Sequence, residues 1–430
     1  VASVNSETLA AIPVASATEA LQGKMAGVQI TTTEGSPDAQ MSIRVRGGGS
    51  ITQSNEPLFI VDGFPVESIS DIPPTDIESI DVLKDASSTA IYGARGANGV
   101  IIVTTKSGKE GKVSVSYNAY YAWKKVAKTL DVLSASDYTK WQYELAQLTN
   151  KNDDYIKYFG NYQDLDMYDN VATNDWQDLT FGRTGHSFNH NLSINGGSDK
   201  FKYSFSYSHI DDKAIMQMSD YARDNLNLKL NHKPLKNVSL DFSARFSKTK
   251  INGGGSNDAN SSLNTDKRLK YSLLYTPYPV PGISDALNAD EEDANSLLIN
   301  PLISLRDNDT RKERINYNLA GSITWEIIKD LKLKAEVGYD DYRNNADRYY
   351  GVTTYYVRNN VDDEDKSKPA ISFTRGTRTA FRSTNTLSYD FKKFFKNNKN
   401  HLNLLAGQEY IVTRERELRN VVHGFPTEYT

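Results

Sequence analysis

His186 and His190 stand four residues apart, a spacing that on one face of a helix lets two imidazoles share a metal ion. On a strand, positions four apart are separated by ~13 Å, and the alternating residues around them read as a strand, so no shared ion is expected. The run 290–293 (DEED), with Asn288 and Asn295 beside it, carries oxygen ligands of the kind calcium takes. A solvated charge run is the commoner meaning of such a stretch, and no metal or cofactor is assigned. RVRGGGS at 44–50 lacks the Lys-Ser/Thr end of a phosphate loop, and GARGANG at 93–99 is not set in the strand and crossover unit of a dinucleotide site. No Ser/His/Asp set and no paired carboxylates occur at a spacing specific enough to name a reaction. No catalytic residue is therefore assigned, and the chain is not read as an enzyme. The absence of Cys removes disulfides, thiol nucleophiles and Cys–zinc sites.

With no reaction chemistry in view, the elements must show what the chain is built for. It has 430 residues, 38% of them hydrophobic, with a mean hydropathy of -0.57. A helical membrane protein is excluded, because spanning needs about 20 consecutive apolar residues. A membrane β-barrel is not, since its strands alternate lipid-facing apolar with lumen-facing polar side chains and average to a polar sequence. The 26 Tyr against 5 Met suit aromatic interface girdles, a bias that Tyr-rich extracellular β-proteins share. Basic and acidic residues number 50 and 54 with no polybasic tract, so nucleic acid is not an expected partner. The N-terminus, VASVNSETLAAIPVAS, has no basic region followed by an apolar core, and the numbering is expected to begin inside a processed or trimmed product.

Two regions differ in their patterning. Residues 1–112 are Gly-rich and mixed in period: a short helix at 17–27 with Ala20, Leu21 and Met25 at helical spacing, strands at 29–32 and 40–46, and an apolar strand Leu58–Val61 stopped by Asp62-Gly63. A strand Ile77–Leu83, a helix over 86–92 capped by Asp85 and ended by Gly93, and a strand Val100–Thr105 complete a small mixed α/β domain. That length can bury a core of its own.

From Val113 the period becomes two. In FKYSFSYSHI, Phe201, Tyr203, Phe205 and Tyr207 face one side and Lys202, Ser204, Ser206 and Ser208 the other. Nine such strands can be counted, and their connections alternate in length. Long or modest connections at 124–185, 211–220, 250–312 and 344–376 are interleaved with short ones at 195–199, 232–236, 329–330 and 392–399. Outer-membrane barrels have this pattern, with short periplasmic turns and long extracellular loops. An odd strand count does not close an antiparallel barrel with both ends periplasmic, so the chain is expected to stop on an outward strand near the fifth extracellular loop. The fold class expected is membrane all-β, with 1–112 as an N-terminal domain and 113–430 as the first part of an antiparallel barrel.

The motifs LQGKMAGVQI, SIRVRGGGS, PLFIVDG, DIESIDVLKDAS and IYGARGANGVIIVTTKSG, in this order and spacing, closely resemble the plug domain of the SusC/RagA-like TonB-dependent transporters. They cover nearly all of residues 1–112; in the barrel the likeness is one of architecture. The resemblance implies a plug inside the lumen of a barrel of about 22 strands, in the outer membrane of a Gram-negative cell. It implies active import of a bulky nutrient, a glycan oligosaccharide or alternatively a peptide. The implied partners are a SusD-like surface lipoprotein acting as lid, TonB with its inner-membrane energising complex, outer-membrane lipid, and a second transporter–lid pair in a dimer. The short TonB-binding segment carried upstream of the plug in such proteins is not in the sequence.

A plug that must move is suited to polar and ionic contacts, and Arg44, Arg46, Glu78, Lys84, Asp85 and Arg95 are the candidates, with solvated charges or ion pairs inside the plug as the alternative. By the same resemblance the loops 47–56 and 64–71 follow strands running outward, and Ser50, Thr52, Gln53, Asn55, Phe64 and Glu67 are the candidate substrate contacts, or else they merely close turns. Trp141, Trp176, Tyr275 and Tyr278 in the long loops are candidate sugar-stacking platforms, or packing residues. Two other classes stay open: a passive porin or surface receptor, which has no need of residues 1–112, and a secreted β-sandwich enzyme or adhesin, which has no reason to keep its long loops on one side.

Overall fold

The computed structural model describes residues 2–10, 14, 16–32, 41–45, 47, 55–85, 89–253, 268–281, 283, 299–358, 364–365, 368–391 and 402–424. The N-terminal unit holds a five-stranded mixed sheet in the order β1-β6-β7-β4-β5 and a separate β2-β3 pair. Its strands are β1 (Ala2–Asn5), β2 (Val28–Thr32), β3 (Met41–Val45), β4 (Leu58–Val61), β5 (Phe64–Val66), β6 (Ile77–Leu83) and β7 (Val100–Thr105). Of the central strands, β4 and β7 are nearly continuous apolar runs, as strands covered on both faces must be, whereas β6 carries polar residues at 78, 79 and 81; Val61, Ile80, Val82, Ile101 and Val103 are fully buried.

Three expectations change here. The helix begun at Ala17, capped by Ser16 Oγ accepting from Glu19 N at 3.2 Å, ends at Ala20, and turns carry the chain to Gly27 because Gly23 and Gly27 take φ of 71° and 74°. The helix expected over 86–92 is displaced: Thr89 N bonds Asp85 O, and 3-10 turns over Ala90–Gly96 are interrupted at Gly93, while 86–88 lie outside the described residues. Residues 64–66, read as loop, form β5. Asp62 and Gly63, at φ 51° and 84°, make the two-residue primed turn that a twisted β4–β5 hairpin demands.

The rest is one antiparallel sheet of nine strands, each paired with the next. They are β8 (Gly111–Lys124), β9 (Gly185–Gly197), β10 (Phe201–Lys213), β11 (Asp220–Leu235), β12 (Val238–Asn252), β13 (Thr310–Ile328), β14 (Leu331–Tyr350), β15 (Ala370–Asp390) and β16 (Asn403–His423). Among the described residues β8 and β16 are the unpaired edges, so the wall is a partial barrel. The sheet curves around the N-terminal unit: Ser204, Ser206 and Ser208 are buried on its inner side while Phe201 is exposed on the outer one. The long connections all leave one end of the sheet. The loop between β14 and β15 spans 351–369, not 344–376, because both strands continue past the alternating stretch; in RNNADRYY both faces are polar and period two no longer shows.

The loops at that end carry their own structure. A helix Ala135–Thr149, capped by Ser134 and closed by Asn150 at φ 57°, packs with the helix Asn152–Phe159 around Tyr138, Tyr155, Phe159, Tyr278 and Val280.

Candidate functional site

The residues that could govern passage lie where the N-terminal unit meets the wall. Its apolar core is made wholly of its own side chains, from Val4 to Val103, with no wall residue in the cluster among the described residues. What joins unit and wall is polar.

At the β4–β5 turn, Lys229 Nζ of β11 donates to Asp62 Oδ1 at 2.7 Å and to Thr105 O at 2.8 Å. The Asp62 carboxylate also accepts from Thr105 N at 2.9 Å and Thr105 Oγ1 at 2.8 Å. Burial opposes its ionisation, but Lys229 and Arg245 outweigh that and hold it below the usual carboxylate range. Beside it, the Phe64 ring lies on the bare backbone of Gly338; a Cβ there would sit 2.0 Å from Phe64 Cε2. Arg382 of β15 donates to Gly63 O and pairs with Glu409 of β16 at 2.6 Å, and Glu409 also accepts from Arg95 of the N-terminal unit at 3.1 Å.

A second group sits nearer the long loops. Arg223 donates to Ser70 O at 2.8 Å and Asn225 to Asp71 O at 2.7 Å, while Glu67 pairs with Arg378 at 2.9 Å and Asp71 with Arg314 at 3.9 Å. Between the groups Asp76 is buried beneath Asn191 and Ser206. Burial raises its pKa, and hydrogen bonds from these two side chains only partly oppose it.

Two cavities follow the seam. One of about 270 Å³ is lined by Asp62, Lys229, Asp241, Lys334, Glu336 and Arg382 among others. The other, about 50 Å³, collects buried polar atoms without a hydrogen-bond partner among the described residues, namely Asn227 Oδ1, Arg245 Nη1, Ser247 Oγ and Asn316 Oδ1. Polar cavities of this size are filled by water.

Of the six expected ionic contacts, Arg95 reaches the wall. Glu78 instead pairs with Lys109 at 3.6 Å and Lys84 donates to Ala26 O, both inside residues 1–112, the alternative that the sequence left open for Glu78. Arg44 is exposed on β3, Asp85 accepts from Thr89 N through its carbonyl, and Arg46 lies outside the described residues. Of the six expected substrate contacts, Ser50, Thr52 and Gln53 lie outside the described residues, and Asn55 is half-buried. Phe64 is 5% exposed and lies in the seam rather than in open space, because β4 runs away from the long loops and only β5 turns back toward them. Glu67 is held by Arg378.

Trp176 donates to Thr276 O at 2.8 Å and meets Tyr275 edge to face, while Tyr275 and Tyr278 are buried; they pack loop to loop rather than offering open faces, and Trp141 is the one of the four that is exposed. His186 and His190 lie extended on β9, where His190 bonds Tyr117 and His186 stacks on Tyr121. The seam residues Lys229, Arg245, Arg314, Arg378, Arg382 and Glu409 were not singled out from sequence, although each is a charge on the inward parity of its strand, and Lys229 and Arg245 are set among small polar residues.

A self-contained α/β unit, held by polar contacts inside a curved antiparallel wall with long loops at one end, defines a plugged outer-membrane β-barrel. Residues 1–100 match the family model described as the TonB-dependent Receptor Plug Domain. The TonB-dependent receptor SusC of Bacteroides thetaiotaomicron is 40% identical over 217 residues, 48% of this chain and 20% of SusC. TonB-dependent receptor P3 of Formosa agariphila is 31% identical over 455 residues, 99% of this chain and 41% of that protein. Among solved structures, that of the RagAB peptide transporter superposes with a TM-score of 0.76 at 26% identity, covering 99% of this chain and 49% of the other. The chain belongs to the TonB-dependent receptors of the outer membrane, as a SusC/RagA-like member. It spans less than half the length of these relatives.

Proposed function

We propose that the protein of which this chain forms the plug and the first strands of the barrel imports a bulky nutrient actively, and that the plug is the part that moves. The observation that carries this reading is the division of labour at the seam. The plug keeps its apolar core to itself and meets the wall through ion pairs, hydrogen bonds and polar cavities. An apolar interface loses ~25 cal/mol for each Å² exposed when it parts; water re-solvates a polar seam as it opens, so the plug can leave without unfolding. TonB, with its inner-membrane energising complex, would supply the pull. The long-loop end, with its packed helices, is the surface offered to a SusD-like lid lipoprotein, and two transporter–lid pairs would associate as a dimer.

The cargo we propose is a glycan oligosaccharide, the first of the two cargo classes that the resemblance of the plug motifs implies. The loop tyrosines give it less support than their number suggests, since Tyr275 and Tyr278 are buried. An oligopeptide is the second reading, favoured by the similarity to the RagAB peptide transporter along 99% of the chain. Ser50, Thr52, Gln53, Asn55 and Glu67 remain the proposed ligand contacts of the plug. Competition settles the cargo: cells expressing the full-length protein take up a labelled oligosaccharide mixture that unlabelled oligosaccharides block and peptide digests do not. Block by peptides alone would replace the first reading with the second.

A further inference from the structure

The inward face of the wall is unbalanced in charge at the end near the long loops. From the row of Asp340 toward those loops, the inward positions of β11–β15 carry Arg223, Lys312, Arg314, Arg348 and Arg378. Among the described residues no carboxylate shares that parity on these strands there. On the neighbouring β10, Asp212 is held by Lys124.

Register gathers the cations. Arg223 and Arg314 flank Thr249 in a single row, with their strands ~10 Å apart. Lys312 is the next inward position beyond Arg314 and pairs across with Ala346, so Arg348 stands on its diagonal, ~7 to 8 Å away. Like charges set side by side on a sheet oppose folding, which points to a use outside it. The plug answers the cations nearest to it: Asp71 pairs with Arg314, Glu67 pairs with Arg378, and Ser70 O accepts from Arg223. Lys312 and Arg348, both half-buried, are in no ion pair among the described residues, and Arg348 Nε is buried without a hydrogen-bond partner among them. Their strands, β13 and β14, are paired on both sides, so neither cation stands at an edge of the sheet. A lumen walled by fixed charges of one sign gathers solutes of the other, and guanidiniums hold carboxylates and similar oxyanions through short, charge-assisted bonds.

We propose that the cargo is anionic: an acidic oligosaccharide whose carboxylate or sulfate groups bind Lys312 and Arg348 first, and then compete with Glu67 and Asp71 of the plug for Arg378 and Arg314. That it is a glycan rests on the cargo reading above; the sign of its charge rests on the wall. The test divides the labelled oligosaccharide mixture by anion exchange into acidic and neutral fractions of equal chain length and offers each to cells expressing the full-length protein. The acidic fraction is taken up about tenfold better, as one or two charge-assisted bonds provide. Lys312→Gln with Arg348→Gln abolishes that preference while heat-modifiable migration still reports a folded barrel, and Lys312→Arg with Arg348→Lys keeps most of it. Glu67→Gln with Asp71→Asn, which releases Arg378 and Arg314, tightens surface binding of the acidic fraction severalfold; no gain overturns the competition with the plug. Equal uptake of the two fractions overturns the proposal, as does an unchanged preference in the folded Gln variant. If peptides prove to be the cargo, the glycan reading fails by itself: a preference for acidic over basic peptides then upholds the charge of the seat, and the reverse preference overturns it.

Discussion

Lys229 and Asp62, 167 positions apart in the chain, form the ion pair that closes the seam, at 2.7 Å with side chains only 12% and 11% exposed. A buried pair of this kind contributes little beyond what apolar residues of the same shape would, but breaking one side of it is costly, because the other charge is left without a partner.

Lys229→Met should therefore unseat the plug. The expected loss is ~3 kcal/mol, read as about a hundredfold faster hydrogen exchange of the β4 and β7 amides in the full-length protein. Adding Asp62→Asn to the same chain should restore most of the protection. A single variant as protected as the parent would mean that the pair does not hold the plug.

The two buried carboxylates of the plug should titrate in opposite senses. Asp62 has a depressed folded pKa, so its contribution is present above the unfolded value and is lost as pH falls through the folded one, below the usual carboxylate range. Asp76 has a raised folded pKa, so the folded plug binds the extra proton and loses stability as pH rises from the unfolded value through the folded one. Plug stability measured against pH should thus decline above the ordinary carboxylate range, and Asp76→Asn should flatten that decline and leave the acid limb from Asp62 in place.

Gly338 is where the wall yields to Phe64. Gly338→Ala should cost ~1 to 3 kcal/mol by overpacking and admit large antibiotics through the outer membrane of cells expressing the full-length protein. Phe64→Leu in the same chain should make room for the new methyl and reduce the leak. No leak in the single variant would contradict the close approach of ring and backbone.

Glu409 serves two arginines of different exposure. Arg95 is half exposed and its coupling to Glu409 in a double-mutant cycle should stay below about 1 kcal/mol. Arg382, at 19% exposure, should couple more strongly. The reverse order would place the main link on the plug side.

Much of this arrangement could be read from the chain. Alternation in β10 separates Phe205 from Ser204 and Ser206, and the Asp62-Gly63 dipeptide announces a turn; its positive φ angles are what a primed hairpin needs. Parity also turns Lys229, Arg245 and Arg382 inward. It cannot say which plug residue each will meet, since that depends on how a separately folded unit is seated against a curved sheet. The same seating decides that Glu78 finds its partner inside residues 1–112 and Arg95 finds one on the wall. Short strands such as β1 and β5 escaped because they are set by pairing with β6 and β4 rather than by their own pattern. The upper ends of β14 and β15 escaped because polar residues stand on both faces there, as in RNNADRYY, and period two is lost.

Energised uptake tests the movable plug most directly. In cells expressing the full-length protein, accumulation of the labelled cargo should stop when a protonophore collapses the inner-membrane gradient, while binding at the cell surface persists. Accumulation that continues undiminished without the gradient would contradict the account and leave a passive channel.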